Sequence, residues 1–186
     1  MKEKKTIIRK IVFLFAALLA VFALINLVWY FGLKIRYVHL TEKVDRTERE
    51  ESEVDQGLSR YIYESVRNGY CFTVKDTGYL SKSGYATVSR EEGYERIVDA
   101  DGNEISDNGP YVILFIWPSW FSGYTFGVDI ESKDYWHQMK VDENGQLMEE
   151  SDMDPDLQDE LNAVLEENRE EIERLFELAD EMWDIR

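Results

Sequence analysis

The sequence is poor in the residues that build catalytic and metal sites, since its 186 residues include one cysteine, two histidines and three prolines. A single cysteine excludes an internal disulfide framework and a cysteine-based zinc cluster. The motifs G-x-S-x-G, H-E-x-x-H and G-x-G-x-x-G and the P-loop pattern do not occur in it. We therefore expect neither an enzyme nor a bound cofactor.

Basic residues are scarce beyond the N-terminus, and the charge is unevenly distributed. Residues 1–36 contain seven Lys or Arg and one acidic residue, for a charge of +6, whereas the whole chain carries −17. Residues 37–186 therefore carry −23. A body of this charge is repelled by phosphate backbones, so we exclude nucleic-acid binding.

The longest uncharged segment, residues 11–33, has the length of a membrane span. As a helix it extends over roughly 35 Å, enough to cross a hydrocarbon core of about 30 Å. Trp29, Tyr30 and Phe31 lie at its C-terminal end, where aromatic rings favour the lipid headgroups. A cleaved signal peptide has a shorter apolar region and an A-x-A-like site, which this segment lacks. We interpret residues 1–36 as a basic tail and an uncleaved anchor that contacts the lipid bilayer.

The distribution of basic residues predicts the orientation of this anchor. Five Lys or Arg flank each end, but those on the N-terminal side are crowded into ten residues. The positive-inside rule then favours a cytoplasmic N-terminus and an extracytoplasmic C-terminal body. We expect a single-pass protein of a bacterial cell membrane.

Small residues recur on one face of the anchor, at Ala16, Ala20 and Ala23, with Asn26 at the edge of that face. Small side chains let helices approach closely, and a buried amide can hydrogen-bond across such a contact. This face predicts a homodimer or a partner helix in the membrane. Alanine is also an ordinary constituent of membrane helices, so the same composition fits an unpaired helix.

Residues 37–68 are predicted to form a juxtamembrane stalk helix. Their first half is mostly charged, and apolar residues then recur at every fourth position from Val54 to Val66. This spacing predicts one apolar helix face. Asn68 and Gly69 follow as a stop signal.

Residues 69–150 change to the period-2 pattern of β-strands. The pattern V-D-x-[DN]-G-[NQ] begins at Val98 and again at Val141, and its Asp-Gly and Asn-Gly pairs favour tight hairpin turns. The uncharged segment 108–128 could alternatively be a second membrane span. Proline, serine and glycine interrupt its second half, so we predict instead a hairpin that turns at residues 118–123.

Residues 151–186 are predicted to form one long, acidic, amphipathic helix. Asp154 is a good N-cap, and Pro155 suits the first helical position. A broad apolar face indicates that the helix docks on the sheet along most of its length. Because the helix is about 45 Å long and exceeds a typical strand, its far end with Trp183 is expected to overhang the sheet as a partner site.

The fold class that follows is α+β: an N-terminal transmembrane helix, a stalk helix, an antiparallel sheet of about five to six strands and a long acidic C-terminal helix. Residues 37–186 are numerous enough to form one α+β domain with a buried core. The order of helix, antiparallel strands and helix is similar to that of cystatin-like and PepSY-like modules. This resemblance is one of element order and covers only the middle of the chain.

Two acidic segments, which begin at Asp99 and Asp152, share the first three ligand spacings of a calcium loop. Neither has the glycine and glutamate that such a loop needs at its sixth and twelfth positions. We therefore predict no metal site. His137 and Cys71 are interpreted as packed side chains of predicted strands.

Aromatic residues cluster between Trp117 and Trp136, around the predicted hairpin turn. Trp120 and Phe121 lie in the turn itself, where burial is difficult, and are the best candidates for a functional surface. The alternative is that the cluster fills the core of an aromatic-rich sheet. The residues that we single out for binding are Trp117, Trp120, Phe121, Trp136 and Trp183.

Two functions remain after these exclusions. The first is a membrane-tethered protein-interaction module that regulates a membrane or envelope protein. The second is an extracytoplasmic domain that binds or senses cell-envelope fragments, cationic peptides or divalent cations, with the acidic charge attracting cations.

Overall fold

The computed structural model describes residues 2–45, 62–93, 96–98, 104–107, 109–121, 123–148 and 153–186. The chain begins with helix α1 (Lys2–Trp29), which continues through a π-helical turn (Tyr30–Lys34) into α2 (Ile35–Thr41). The segment Arg9–Thr41 contains a window of high mean hydropathy that is not buried by the rest of the chain. By length and composition, this is a candidate membrane span.

A six-stranded antiparallel sheet forms the centre of the domain, in the order β1-β2-β3-β6-β7-β8. The strands β4 and β5 pair with each other in a separate two-stranded sheet. The bounds are β1 Ile62–Arg67, β2 Tyr70–Lys75, β3 Tyr85–Arg90, β4 Arg96–Val98, β5 Glu104–Asp107, β6 Tyr111–Pro118, β7 Tyr124–Glu131 and β8 Trp136–Val141.

The sheet has one covered face and one open face. Along β6, residues alternate between buried and half-buried, because successive side chains point to opposite faces. Register places Leu114 beside Val88 and Val128 on the covered face, and all three are fully buried. The hairpin expected over residues 108–128 is confirmed as β6 and β7, and the alternative of a second membrane span is wrong.

The continuous helix predicted over residues 37–68 is wrong for the described residues beyond Thr41, because α2 ends there and Ile62–Arg67 is strand β1. Residues 46–61 lie outside the described part of the chain. Ile62 and Val66 are four positions apart, a spacing that suits one face of a strand as well as one face of a helix. Asn68 and Gly69 have φ of 53° and 79°, so the expected helix stop is the tight turn of the β1–β2 hairpin.

The second V-D-x-[DN]-G-[NQ] segment was expected to be a strand–turn–strand unit. The turn is confirmed, but the described residues after it pair with β8 only through an isolated bridge between Val141 and Leu147. The Asp142 carboxylate accepts hydrogen bonds from the backbone N–H groups of Asn144 at 2.8 Å and Gln146 at 2.9 Å. The first segment connects β4 and β5, which pair as expected, but residues 99–103 lie outside the described part of the chain.

The C-terminal region forms two helices, α3 (Pro155–Glu167) and α4 (Arg169–Trp183), where we expected one. Asp154 caps α3 as predicted, since its side chain accepts the N–H of Asp156 at 3.0 Å. The break lies at Asn168, whose buried amide donates to the Val164 carbonyl at 2.8 Å. An asparagine side chain that bonds to the backbone competes with continuation of the helix.

The last turn of α4 is tied to the end of α2 through Trp183. The indole N–H of Trp183 donates to the Leu40 carbonyl at 3.0 Å, and its ring packs edge-on against Phe72 at 5.7 Å. Leu33, Tyr37 and Leu40 are fully buried as well. The end of the N-terminal helix is therefore part of the domain.

We expect Trp183→Phe to lower the free energy of unfolding by about 1–3 kcal/mol, because the buried Leu40 carbonyl loses its donor. The measurement is denaturant unfolding of the detergent-solubilised chain, followed by near-UV circular dichroism. Trp136→Phe is the matched control, since Trp136 is 63% exposed, and should change stability by less than about 0.5 kcal/mol. Equal effects of the two variants would contradict the assigned role of Trp183.

Candidate functional site

The five aromatic residues singled out for binding do not form one site. Trp117 lies on the open face of the sheet, and Trp120 and Phe121 lie in the β6–β7 turn. Trp136 is exposed on β8, at the opposite end of the β6–β7–β8 ladder from Trp117. Trp183 is 0% exposed, so the prediction that it overhangs the sheet as a partner site is wrong.

Trp117 belongs to a row of aromatic rings on the open face. Its ring stacks on Phe115 at 5.4 Å with an interplanar angle of 13°, and Phe115 contacts Tyr85 edge-on at 5.6 Å. The Trp117 ring also covers Gly127 so closely that a Cβ there would lie 2.7 Å from two of its ring atoms. The neighbouring strand thus holds this ring against the sheet.

An apolar pocket of about 520 Å³ opens beside Trp117, at the edge formed by β8 and the segment after it. Its lining combines open-face residues with residues of the covered face and of α3. The lining residues are Trp117, Thr125, Phe126, Gln138, Met139, Lys140, Leu147, Met148, Met153 and Leu161. A pocket of this volume and character suits an apolar side chain or a small molecule.

Asp129 is an acidic residue of the open face that sequence reasoning did not single out. One of its carboxylate oxygens is buried without a hydrogen-bond partner. Burial raises the pKa of the Asp129 carboxyl, and a hydrogen bond with Gln138 partly opposes that rise. The alternation along β7 placed Asp129 on the polar face, but the depth of its burial depends on neighbouring strands.

The β6–β7 turn packs against the N-terminal helix. The Phe121 N–H donates to the Gly32 carbonyl at 3.0 Å, and a Cβ at Gly32 would lie 2.8 Å from the Phe121 ring and 3.1 Å from that of Trp120. Phe121 adopts a φ of 61°, which is uncommon for residues other than glycine. Trp120 and Phe121 still expose 39% and 66% of their surface.

The face predicted for helix–helix packing is only partly available. Ala16, Ala20 and Ala23 are exposed. The Asn26 amide donates to the Phe22 carbonyl at 2.8 Å, and its oxygen accepts a hydrogen bond from the Tyr79 hydroxyl. Asn26 is thus bound within its own chain, while the homodimer remains a prediction.

The remaining candidate side chains are partly buried. His137 Nε2 lies 3.4 Å from a Glu160 carboxylate oxygen, and its ring stacks on Tyr135. Cys71 is half-buried with its sulfur 3.5 Å from the Thr73 hydroxyl, and burial raises the pKa of its thiol. Among the described residues, no group of three or more His, Cys, Asp or Glu is arranged to hold a metal ion.

Comparison with protein-family models, with curated proteins and with solved structures finds no significant match to this chain.

We expect Asp129→Asn to raise the free energy of unfolding at pH 7, by less than about 1 kcal/mol because half-exposed charges are screened by solvent. The pKa of this carboxyl is higher in the folded state than its ordinary value of 3.8. Its contribution to stability is therefore fully present below pH 3.8 and is lost as the pH rises through the folded-state pKa. The gain from asparagine should accordingly shrink on acidification to pH 3–4. Glu131→Gln removes the same charge from the same strand and controls for net charge. A gain that does not vary with pH would contradict the burial effect.

Proposed function

We propose that this chain is a single-pass membrane-anchored protein whose acidic domain lies outside the cytoplasm, in a bacterial cell membrane, and acts as a non-catalytic interaction or regulatory module. The candidate span and the crowded basic residues before it support the anchor and its orientation. The partner is a membrane or envelope protein.

The observation that carries this proposal is the aromatic open face with its adjoining pocket. The aromatic row on this face is formed by Trp117, Phe115 and Tyr85, whose rings already pack on one another. Met148 is exposed at the opening of the pocket. Aromatic and methionine side chains are enriched in protein interfaces, where a few of them supply most of the binding energy. The pocket would receive one apolar anchor residue of the partner.

The charge of the domain indicates which partners it attracts. Residues 37–186 carry −23, and Asp129 and Glu131 follow Gly127 on the open face. Lys140 lines the pocket on the same face, so the attraction for a basic partner segment comes from the net charge of the domain and not from the pocket itself. Long-range attraction would raise its association rate, and salt would reduce that advantage.

We expect a photo-crosslinking residue at position Thr125, which is exposed on the pocket wall, to form one discrete protein adduct in native membranes. The adduct should fall at least fivefold in a Met148→Glu background, because a charge at the pocket opening disfavours entry of an apolar group. The same crosslinker at Glu177, on the exposed side of α4, is the matched control. Equal adducts at both positions, or no effect of Met148→Glu, would contradict the assigned surface.

The alternative function is binding of a small ligand, and the volume of the same pocket favours it. Cell-envelope fragments, cationic peptides and divalent cations are the candidate ligands, with the first best suited to an apolar, Trp-lined pocket. Two results together would favour this alternative. No adduct would form at Thr125, and a cell-envelope fragment would raise the melting temperature of the protein but not that of the Met148→Glu variant.

The orientation is tested with a membrane-impermeant maleimide. In a Cys71→Ser background, Lys133→Cys places a thiol at an exposed position in the β7–β8 turn. We expect labelling in intact cells at the level found in lysed, denatured cells. Labelling only after lysis would place the domain in the cytoplasm and overturn both functions proposed for it.

A further inference from the structure

Two loops at one end of the sheet lie against the N-terminal helix. The connection between β2 and β3 contributes Tyr79, whose ring contacts Trp29 edge-on at 5.4 Å. The Trp29 indole N–H donates to the Ser81 carbonyl of the same loop at 3.2 Å. The β6–β7 turn adds the contact of Phe121 with Gly32.

The β2–β3 connection contacts the helix inside its uncharged segment, and not only beyond the end of that segment at Leu33. The Tyr79 hydroxyl bonds to Asn26, which precedes Leu33, the last residue of the uncharged segment, by seven positions. At 1.5 Å per residue, Asn26 lies about 10 Å inside that segment. Trp29 marks the headgroup level, so Tyr79 reaches about one helical turn beyond it.

The same loops also expose much of the surface of their large apolar side chains. Tyr79 and Leu80 come from the β2–β3 connection and are 50% and 43% exposed. Trp120 and Phe121 come from the β6–β7 turn. We refer to Tyr79, Leu80, Trp120 and Phe121 as the rim. Together with the exposed Tyr30 and Phe31 of the helix, the rim extends the aromatic zone of the helix sideways.

Polar contacts fix the rim against the helix. Lys34 forms an ion pair with Asp76 at the start of the β2–β3 connection. The Tyr37 hydroxyl donates to the Gly84 carbonyl at its end, at 2.8 Å. The Arg36 guanidinium donates to the Gly123 carbonyl at 3.0 Å. Both loops that form the rim are thus bound to the N-terminal helix. The depth of the rim in the bilayer therefore follows the depth of the helix.

We propose that the rim inserts into the outer lipid headgroup region, so that the domain lies directly on the bilayer and not at the end of a stalk. The inference rests on the proposed membrane anchor. Continuity with the anchor identifies lipid as the occupant, because Tyr79 contacts a residue that the anchor itself places within the bilayer. Amphipathic tyrosine and tryptophan rings are the side chains that favour this depth.

Lipid contact of the rim also places the pocket near the membrane. Trp117 pairs with Thr125 next to the β6–β7 turn, and Val141, at the end of β8, pairs with Phe126 at the same end of the sheet. The pocket therefore opens close to the bilayer surface. A partner that enters it would be a membrane protein or a segment held at the membrane.

The test uses the full chain, reconstituted in phosphatidylcholine–phosphatidylglycerol vesicles. Single cysteines at Leu80 and at Phe121, in a Cys71→Ser background, carry an environment-sensitive fluorophore. We expect blue-shifted emission and at least twofold quenching by lipids with a nitroxide near the headgroup. Lys133→Cys, in the β7–β8 turn at the far end of the sheet, is the matched control and should stay unquenched with water-like emission.

A fourth probe separates failure of the inference from failure of the anchor. Leu19→Cys, in the middle of α1, should be quenched by nitroxides deep in the acyl chains if the helix spans the bilayer. Quenching at Leu19 with water-like, unquenched probes at Leu80 and Phe121 would overturn rim insertion and leave the anchor intact. Blue-shifted but unquenched rim probes would overturn lipid contact in favour of cover by a second copy of the chain. No quenching at Leu19 would overturn the anchor and the rim together.

Discussion

The hydrophobic core of the domain includes the end of the N-terminal helix, and the arrangement of the other elements depends on this packing. Leu33, Tyr37 and Leu40 are fully buried, and Leu40 accepts the indole hydrogen bond of Trp183 from the last turn of α4. Helix and sheet are therefore joined by side-chain packing as well as by the chain. A helix fixed in this way transmits its own orientation to the sheet, which a flexible linker would not do.

The same packing determines which surfaces of the sheet remain available. Helices α2 and α4 contact the covered face, so the aromatic row around Trp117 lies on the side that these helices leave open. The loop end of the sheet is held at the helix by the ion pair of Lys34 with Asp76 and by the contact of Phe121 with Gly32. The aromatics of the β6–β7 turn thus have a different environment from Trp117, although only a few residues separate them.

Local patterns predicted the elements whose signals are unambiguous within a few residues. The β6–β7 hairpin, the Asp154 cap and the Asp142 turn were predicted from alternation and from turn or cap chemistry. The strand β1 was not, because apolar residues four apart satisfy both the helical period and the strand period. Burial of Trp183 could not be predicted either. It depends on contact with Leu40, 143 positions earlier in the chain, and such a contact leaves no local pattern.

The net charge of the domain opposes the membrane contact that we propose for it. A domain with a charge of −23 is repelled by an anionic lipid surface within a Debye length of about 8 Å. The exposed rim is aromatic and aliphatic, and Lys34 is already paired with Asp76, so anionic lipids are not what would hold it. In the proposed function, the candidate membrane span supplies the attachment instead. If the proposed partner is confined to the same membrane, its effective concentration at the pocket beside Trp117 is raised, so a contact through one apolar side chain needs less intrinsic affinity than it would in solution.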